Sequence, residues 1–142
     1  MKLNQLSLFL ENKPGQVVEA LRVLAQEKID IRTLTLADTQ QFGILRLIVS
    51  DWKAGADALR NAGFVANITE VVGVEVPDRP GGLYELLVLL EGSVVNIEYM
   101  YALTYRQSDQ TVLVMRFDDP DQAIKLLLGA GINVLPASEI HQ

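Results

Sequence analysis

The sequence contains no cysteine and a single histidine, His141, one residue from the end. Disulfides, thiolate metal sites and a cysteine nucleophile are therefore excluded, and no Cys/His cluster is left to hold a metal. A chain without thiols fits a reducing compartment, so the cytoplasm is the expected location. No Ser-His pairing, G-x-x-x-x-G-K phosphate loop or G-x-G-x-x-G motif occurs. Glu75 and Glu98 are candidate acid–base groups, yet nothing pairs them. The sequence thus gives no catalytic residue, metal or cofactor, and the chain is expected not to be an enzyme. Positive charge is also scarce: 12 basic residues stand against 18 acidic ones, for a net charge of −6. The basic residues are scattered, so nucleic acid would be repelled rather than gathered. Aromatic residues make up only 6%, and the aromatic-basic strand of an RNA-recognition module is missing. No apolar run approaches the roughly 18 residues that cross a bilayer, and residues 1–5 open no secretory signal. The expectation is no membrane segment and no processing.

What the chain does contain is apolar surface, at 49% of 142 residues. That is the upper edge of the globular range and points to surface buried against a partner, a homodimer in the first instance. The patterning begins with Leu6, Leu8 and Leu10 alternating with Ser7, Phe9 and Glu11, a strand. Asn12-Lys13-Pro14-Gly15 forms a turn, with Asn12 able to accept a hydrogen bond from the following helix. Val17, Leu21, Leu24 and Ala25 recur at helical spacing. Ile31 to Ala37 and Phe42 to Val49 are β-rich runs around a polar hairpin at residues 38–41. Asp51 reads as the N-cap of a helix carrying Ala56, Leu59 and Ala62 and closed by Gly63, with Trp52 packing at its start. Phe64 to Val71 completes the order strand, helix, strand, strand, helix, strand.

The second half repeats that order. Pro14-Gly15 matches Pro80-Gly81 at an offset of 80 − 14 = 66, and the same offset pairs Leu21 with Leu87, Ile31 with Ile97 and Asp30 with Asn96. Further on the offset is 131 − 63 = 68, pairing Leu59 with Leu127 and Gly63 with Gly131. The two added residues belong in the second hairpin, residues 104–111, where backbone is exposed. An internal repeat fixes architecture before any single motif does. The predicted fold class is α+β, with two βαββαβ ferredoxin-like units, residues 1–71 and 72–142, each an antiparallel sheet with both helices on one face. Leu45, Leu47 and Val49, like Leu113, Met115 and Phe117, are expected to face the helices. The other face, with Ile44, Ile48, Val112 and Val114, is too apolar for open water. On the helix after Pro80, Leu83, Leu87 and Leu90 form the expected core stripe, leaving Leu86, Val88 and Leu89 for a partner.

The stretch Val72 to Leu90 carries the chemistry. Alternating valines give a strand, Asp78-Arg79-Pro80-Gly81-Gly82 a turn, and the run from Leu83 a helix. Pro80 suits a first helical turn, and the two glycines let backbone or ligand approach without a Cβ in the way. A helix start with outward N–H groups can hold a carboxylate or phosphate, and a capped strand-to-helix turn explains the same residues.

With these residues, Val94-Val95-Asn96-Ile97 and the doubled βαββαβ order in hand, the chain resembles tandem ACT domains over roughly residues 3 to 140. In that family a "DRPG" turn opens the first helix and an "NI" pair opens the second strand, both present in the second unit. The first unit departs from the pattern, with Asn12-Lys13-Pro14-Gly15 for the turn and Asp30-Ile31 for the pair. Phe42 to Arg46 and Asn96 to Tyr101 also look like the small stand-alone tandem ACT proteins of bacteria. The resemblance implies an antiparallel α+β fold, regulation rather than catalysis, and binding of an amino acid between ACT units, within the chain or across a homodimer.

An amino acid presents a carboxylate and an ammonium. The carboxylate needs N–H donors, which the first-turn backbone at Gly15, Gln16 and Val17, or at Gly81, Gly82 and Leu83, supplies. The ammonium needs oxygen acceptors: Asn12 and Asp78 in the turns, Asp30 and Asn96 beside Ile97 at the second strands. Asp78 is read equally as a helix cap and Asn96 equally as a turn residue, whereas Asp30 is read first as a structural turn residue. Tyr99 and Tyr101, two apart and on the face of Ile97, wall a pocket or pack an interface. Arg79 could meet a carboxylate bidentately or stay solvated. Two functions follow. One is a non-enzymatic regulator that binds a small amino acid, and the other is a ligand-independent subunit docking on an amino-acid biosynthetic enzyme.

Overall fold

The computed structural model describes residues 1–103 and 110–141. Its contacts divide the chain into two units. The first comprises Asn4–Thr69 with Ile140–Gln142, the second Met1–Leu3 with Glu70–Glu139. Each unit thus takes in a short piece of the opposite end of the chain.

In the first unit, β1 (Lys2–Glu11), α1 (Gln16–Gln26), β2 (Ile31–Thr39), β3 (Phe42–Val49), α2 (Trp52–Asn61) and the start of β4 (Ala66–Pro77) follow in order. β3 lies between β1 and β2, antiparallel to both, and β4 lies beside β1. Leu6, Leu8 and Leu10 of β1 and Leu45, Leu47 and Val49 of β3 point one way because strand side chains alternate. They form one buried cluster with Ala20, Val23 and Leu24 of α1 and Ala56 and Leu59 of α2. Each such leucine contributes about 1.5–3 kcal/mol on burial.

The second unit continues with α3 (Gly82–Leu90), β5 (Ile97–Leu103), β6 (Gln110–Phe117) and α4 (Pro120–Gly129). Its sheet order is β4-β6-β5, all antiparallel, over a core of Val72, Val74, Val76, Met115, Phe117, Leu86, Leu90 and Leu127. The expected α+β, two-unit βαββαβ architecture is what the chain adopts.

The repeat extends to individual hydrogen bonds. Asp51 accepts from the Ala54 N–H at the start of α2, and Asp119 from the Gln122 N–H at the start of α4, both at 3.1 Å. The Asp30 N–H reaches the Ser50 hydroxyl at 3.1 Å, and the Asn96 N–H reaches the Asp118 carboxylate at 2.8 Å. Both second strands carry a register shift at the same place, between Ile31 and Thr33 and between Ile97 and Tyr99. The expected insertion in the second hairpin falls on residues 104–109, outside the described residues.

Three expectations are corrected. The register shift puts Ile97 opposite Phe117 but Tyr99 opposite Arg116 and Tyr101 opposite Val114. The tyrosines therefore face away from Ile97, because one extra residue reverses the alternation. On α3, Leu86 belongs to the core beside Leu90, whereas Leu83 and Leu87 are only partly buried. Val88 and Leu89 remain exposed, and Tyr84 with them at 72%. The last strand of the second unit shrinks to a bridge between Val74 and Val134, held by Glu75 N–H to Asn133 O at 3.0 Å and Leu135 N–H to Gly73 O at 2.9 Å. Pro136 has no N–H to extend it, and a 3₁₀ turn at Ala137–Glu139 follows. His141 is held at both ring nitrogens. His141 Nδ1 lies 2.9 Å from Val49 O, and Nε2 accepts from the Asn4 N–H at 3.1 Å.

Candidate ligand-binding turns

The two strand-to-helix turns are built alike. Gly15 and Gly81 are the N-cap residues of α1 and α3, with φ of 90° and 85° in the left-handed region where glycine is unstrained. Lys13 N–H returns to Glu11 O, and Arg79 N–H to Pro77 O, both at 2.9 Å. Neither helix start has a side-chain cap, in contrast to the aspartates that cap α2 and α4. The first-turn N–H groups at Val17 and Leu83 consequently have no intrahelical acceptor. Both prolines precede the N-cap instead of starting the helix. Gly82 has a separate reason to be glycine: a Cβ there would stand 2.2 Å from Pro77 O.

Asn12 does not cap α1. Its Nδ2 donates to Gln40 O at 3.0 Å and its N–H to Gln41 O at 2.9 Å, tying the turn to the β2–β3 hairpin. Nor does Asp78 cap α3 as an N-cap, since that position is Gly81. Asp78 instead lines a cleft of about 170 Å³ with Arg79, Leu83, Thr111 and Leu113, between the turn and β6. Arg79 is not simply solvated. Its guanidinium grips both oxygens of Glu85 at 3.2 and 2.7 Å, which raises its pKa above the ordinary arginine value.

The structure brings Asn12, Gly15 and Gln16 together in one turn, and Asp78, Gly81, Gly82 and Leu83 in the other. It does not bring the second-strand residues to them within a unit. Pro77 pairs with Gln110 at one end of β6, while Asn96 bonds Asp118 just beyond the other. Seven strand steps separate the two, about 23 Å. Asp30 stands likewise beside Ser50, at the far end of β3 from Asn12, and its carboxylate pairs with Arg32, whose Nε also donates to Ile140 O at 3.1 Å. Ile97 is packed against the core.

Two residues escaped the sequence reading. Glu19 and Glu85 occupy the same position in the two first helices, and each carboxylate is gripped by an arginine, Arg22 in one unit and Arg79 in the other. The signal was present, since 85 − 19 = 66 is the repeat offset. Among the described residues no cluster of acidic and histidine side chains could hold a metal ion, and no helix is long and apolar enough to cross a membrane.

No curated protein matches the chain. Among solved structures, a protein from Bacteroides thetaiotaomicron is 40% identical, with 99% of this chain and 96% of that one covered and a TM-score of 0.92. The regulatory subunits of aspartate kinase from Thermus thermophilus and Thermus flavus share the fold at TM-scores of 0.63 and 0.64. Each is 16% identical over 89% of this chain, with 91% and 88% of those chains covered. The model of the ACT domain pair matches residues 1–141. Doubled architecture, doubled turns and this match agree: the chain belongs to the ACT domain pair family.

Proposed function

We propose that the chain is a non-enzymatic regulatory module that binds a small amino acid at an interface between ACT units, with the uncapped helix starts of α1 and α3 receiving the carboxylate. One observation carries this reading. Among the described residues four α-helices repeat pairwise, and only the two that follow the glycine turns lack a capping side chain. A carboxylate there would accept from first-turn N–H groups and complement the helix dipole. In this reading Gly15, Gln16, Gly81, Gly82 and Leu83 form the anion cradle. Asn12 and Asp78 flank it, and Asp30, Asn96 and Ile97 serve the ammonium side. The 23 Å between the two groups within a unit, against a few ångströms within one amino acid, calls for acceptors from another ACT unit, and a homodimer supplies one. Family membership supports regulation over catalysis, and the cytoplasm is the proposed location, in keeping with the absence of cysteine.

A thermal-shift screen of the twenty amino acids tests the proposal. Binding to the native state alone adds RT ln(1 + [L]/Kd), about 2.7 kcal/mol at a hundredfold excess over Kd. Gly81→Asp then places a like charge beside the cradle, in open space although at a strained positive φ, so the fold of the variant is checked alongside. Loss of the shift with an unchanged circular dichroism spectrum is the expected result. A second reading, a subunit docking on a biosynthetic enzyme without ligand, draws on exposed Tyr84, Val88 and Leu89 of α3. It gains if none of the twenty produces a shift at millimolar concentration.

A further inference from the structure

Three of the chain's four phenylalanines converge on one cleft of the first unit. Phe9 of β1, Phe42 of β3 and Phe64 after α2 line a space of about 520 Å³, with Val65 beside them and the carboxylates of Glu11 and Glu19. Phe9 and Phe42 are half exposed, at 52% and 50%. Single exposed apolar residues are ordinary, but a cluster that walls a cavity is not. Among the described residues no lysine or arginine lines the cleft. Lys13 and Arg22 hold Glu11 and Glu19 without being among its lining residues.

We propose that this cleft binds a small organic cation with an aromatic or bulky apolar body. Ring faces attract cations through their quadrupole, and the apolar body covers phenyl surface that otherwise meets water. The Glu19 carboxylate stays ionised because Arg22 donates hydrogen bonds to it, holding its pKa below the usual value. It has lone pairs left for an ammonium, and its exposed pairing with Arg22 is weak enough to share. An anion would meet two carboxylates and no cationic wall. The second repeat has a cleft at the corresponding place, about 300 Å³ between Glu75, Glu85, Leu86, Leu89 and Ile132. Among the described residues it again holds two carboxylates over apolar walls, with no basic lining residue and no aromatic ring. Among those residues the aromatic lining is particular to the first cleft. That cleft borders the proposed anion cradle at Gln16 but differs from it in charge preference, because it selects for a cation and against a free carboxylate.

Isothermal titration of the full chain with phenethylammonium and, separately, 3-phenylpropanoate compares one body carrying opposite charges. The expected result is one phenethylammonium per chain, with the anion about tenfold weaker or more, and a loss of about tenfold in Phe42→Ala and in Glu19→Gln. Glu19→Gln breaks an exposed ion pair with Arg22, a loss too small to put folding at stake. Equal affinity for the two ions overturns the proposal. So does undiminished binding in both variants, or no heat from phenethylammonium up to about 10 mM. If that silence accompanies dissociation of a dimer by Phe42→Ala in sedimentation, the cleft belongs to a second copy instead.

Discussion

Gly82 is confined by a single contact, the 2.2 Å approach that a Cβ would make to Pro77 O. Backbone cannot yield as a side-chain tip can, so Gly82→Ala should destabilise the protein by about 1–3 kcal/mol in urea unfolding. The aspartate caps give a milder test. Asp51→Ala and Asp119→Ala should each lose about 1 kcal/mol, and equal losses would show the two repeats to be energetically alike. The Asp51 cap was legible in the sequence, as was the glycine turn, because capping and positive φ are local chemistry; the Asp119 cap was not read there, though the repeat offset of 119 − 51 = 68 leads to it. The partner of Asn12 was not. An asparagine before a helix reads as a cap, and only the return of the β2–β3 hairpin beside it supplies the competing carbonyl of Gln40. Arg79 was undecided for a related reason, since its grip on Glu85 depends on the turn folding back along α3.

The repeat gave away the elements and their order, but not the register within them. The shift after Ile97 reverses the faces of Tyr99 and Tyr101, and nothing in their two-residue spacing announces an extra residue. The C-terminal segment was likewise illegible. Ile140 is 1% exposed, its carbonyl accepts from Arg32, and His141 bonds Val49 and Asn4, all in the first unit. A carbonyl only accepts, so Nδ1 carries the proton and Nε2 receives the Asn4 N–H. Ile140→Ala should remove about 2–4 kcal/mol, measured by urea unfolding followed at Trp52, which packs against the first unit's core. Little change would mean that the segment is a passive end. On α1, Arg22 donates to Glu19 and holds its carboxyl below the usual carboxylate range. Such a group stabilises above its unfolded pKa, and the contribution fades as pH falls through the lowered folded value. The stability gap between wild type and Arg22→Ala should therefore narrow from pH 7 to pH 3. The gap is small, since both side chains are exposed.

At the scale of the whole chain, the duplicated fold and its two uncapped helix starts are the features that a regulator would use. A homodimer is expected in sedimentation at micromolar concentration, and a monomer would remove the proposed source of the ammonium acceptors. The central claim is that first-turn N–H groups of α1 and α3 hold the amino acid's carboxylate. Backbone amide NMR reads those groups directly. Addition of the amino acid that raises the thermal transition should shift the Gln16, Val17, Leu83 and Tyr84 amides most, and slow their exchange with solvent. Shifts confined to other residues, with these four unchanged at saturation, would contradict it.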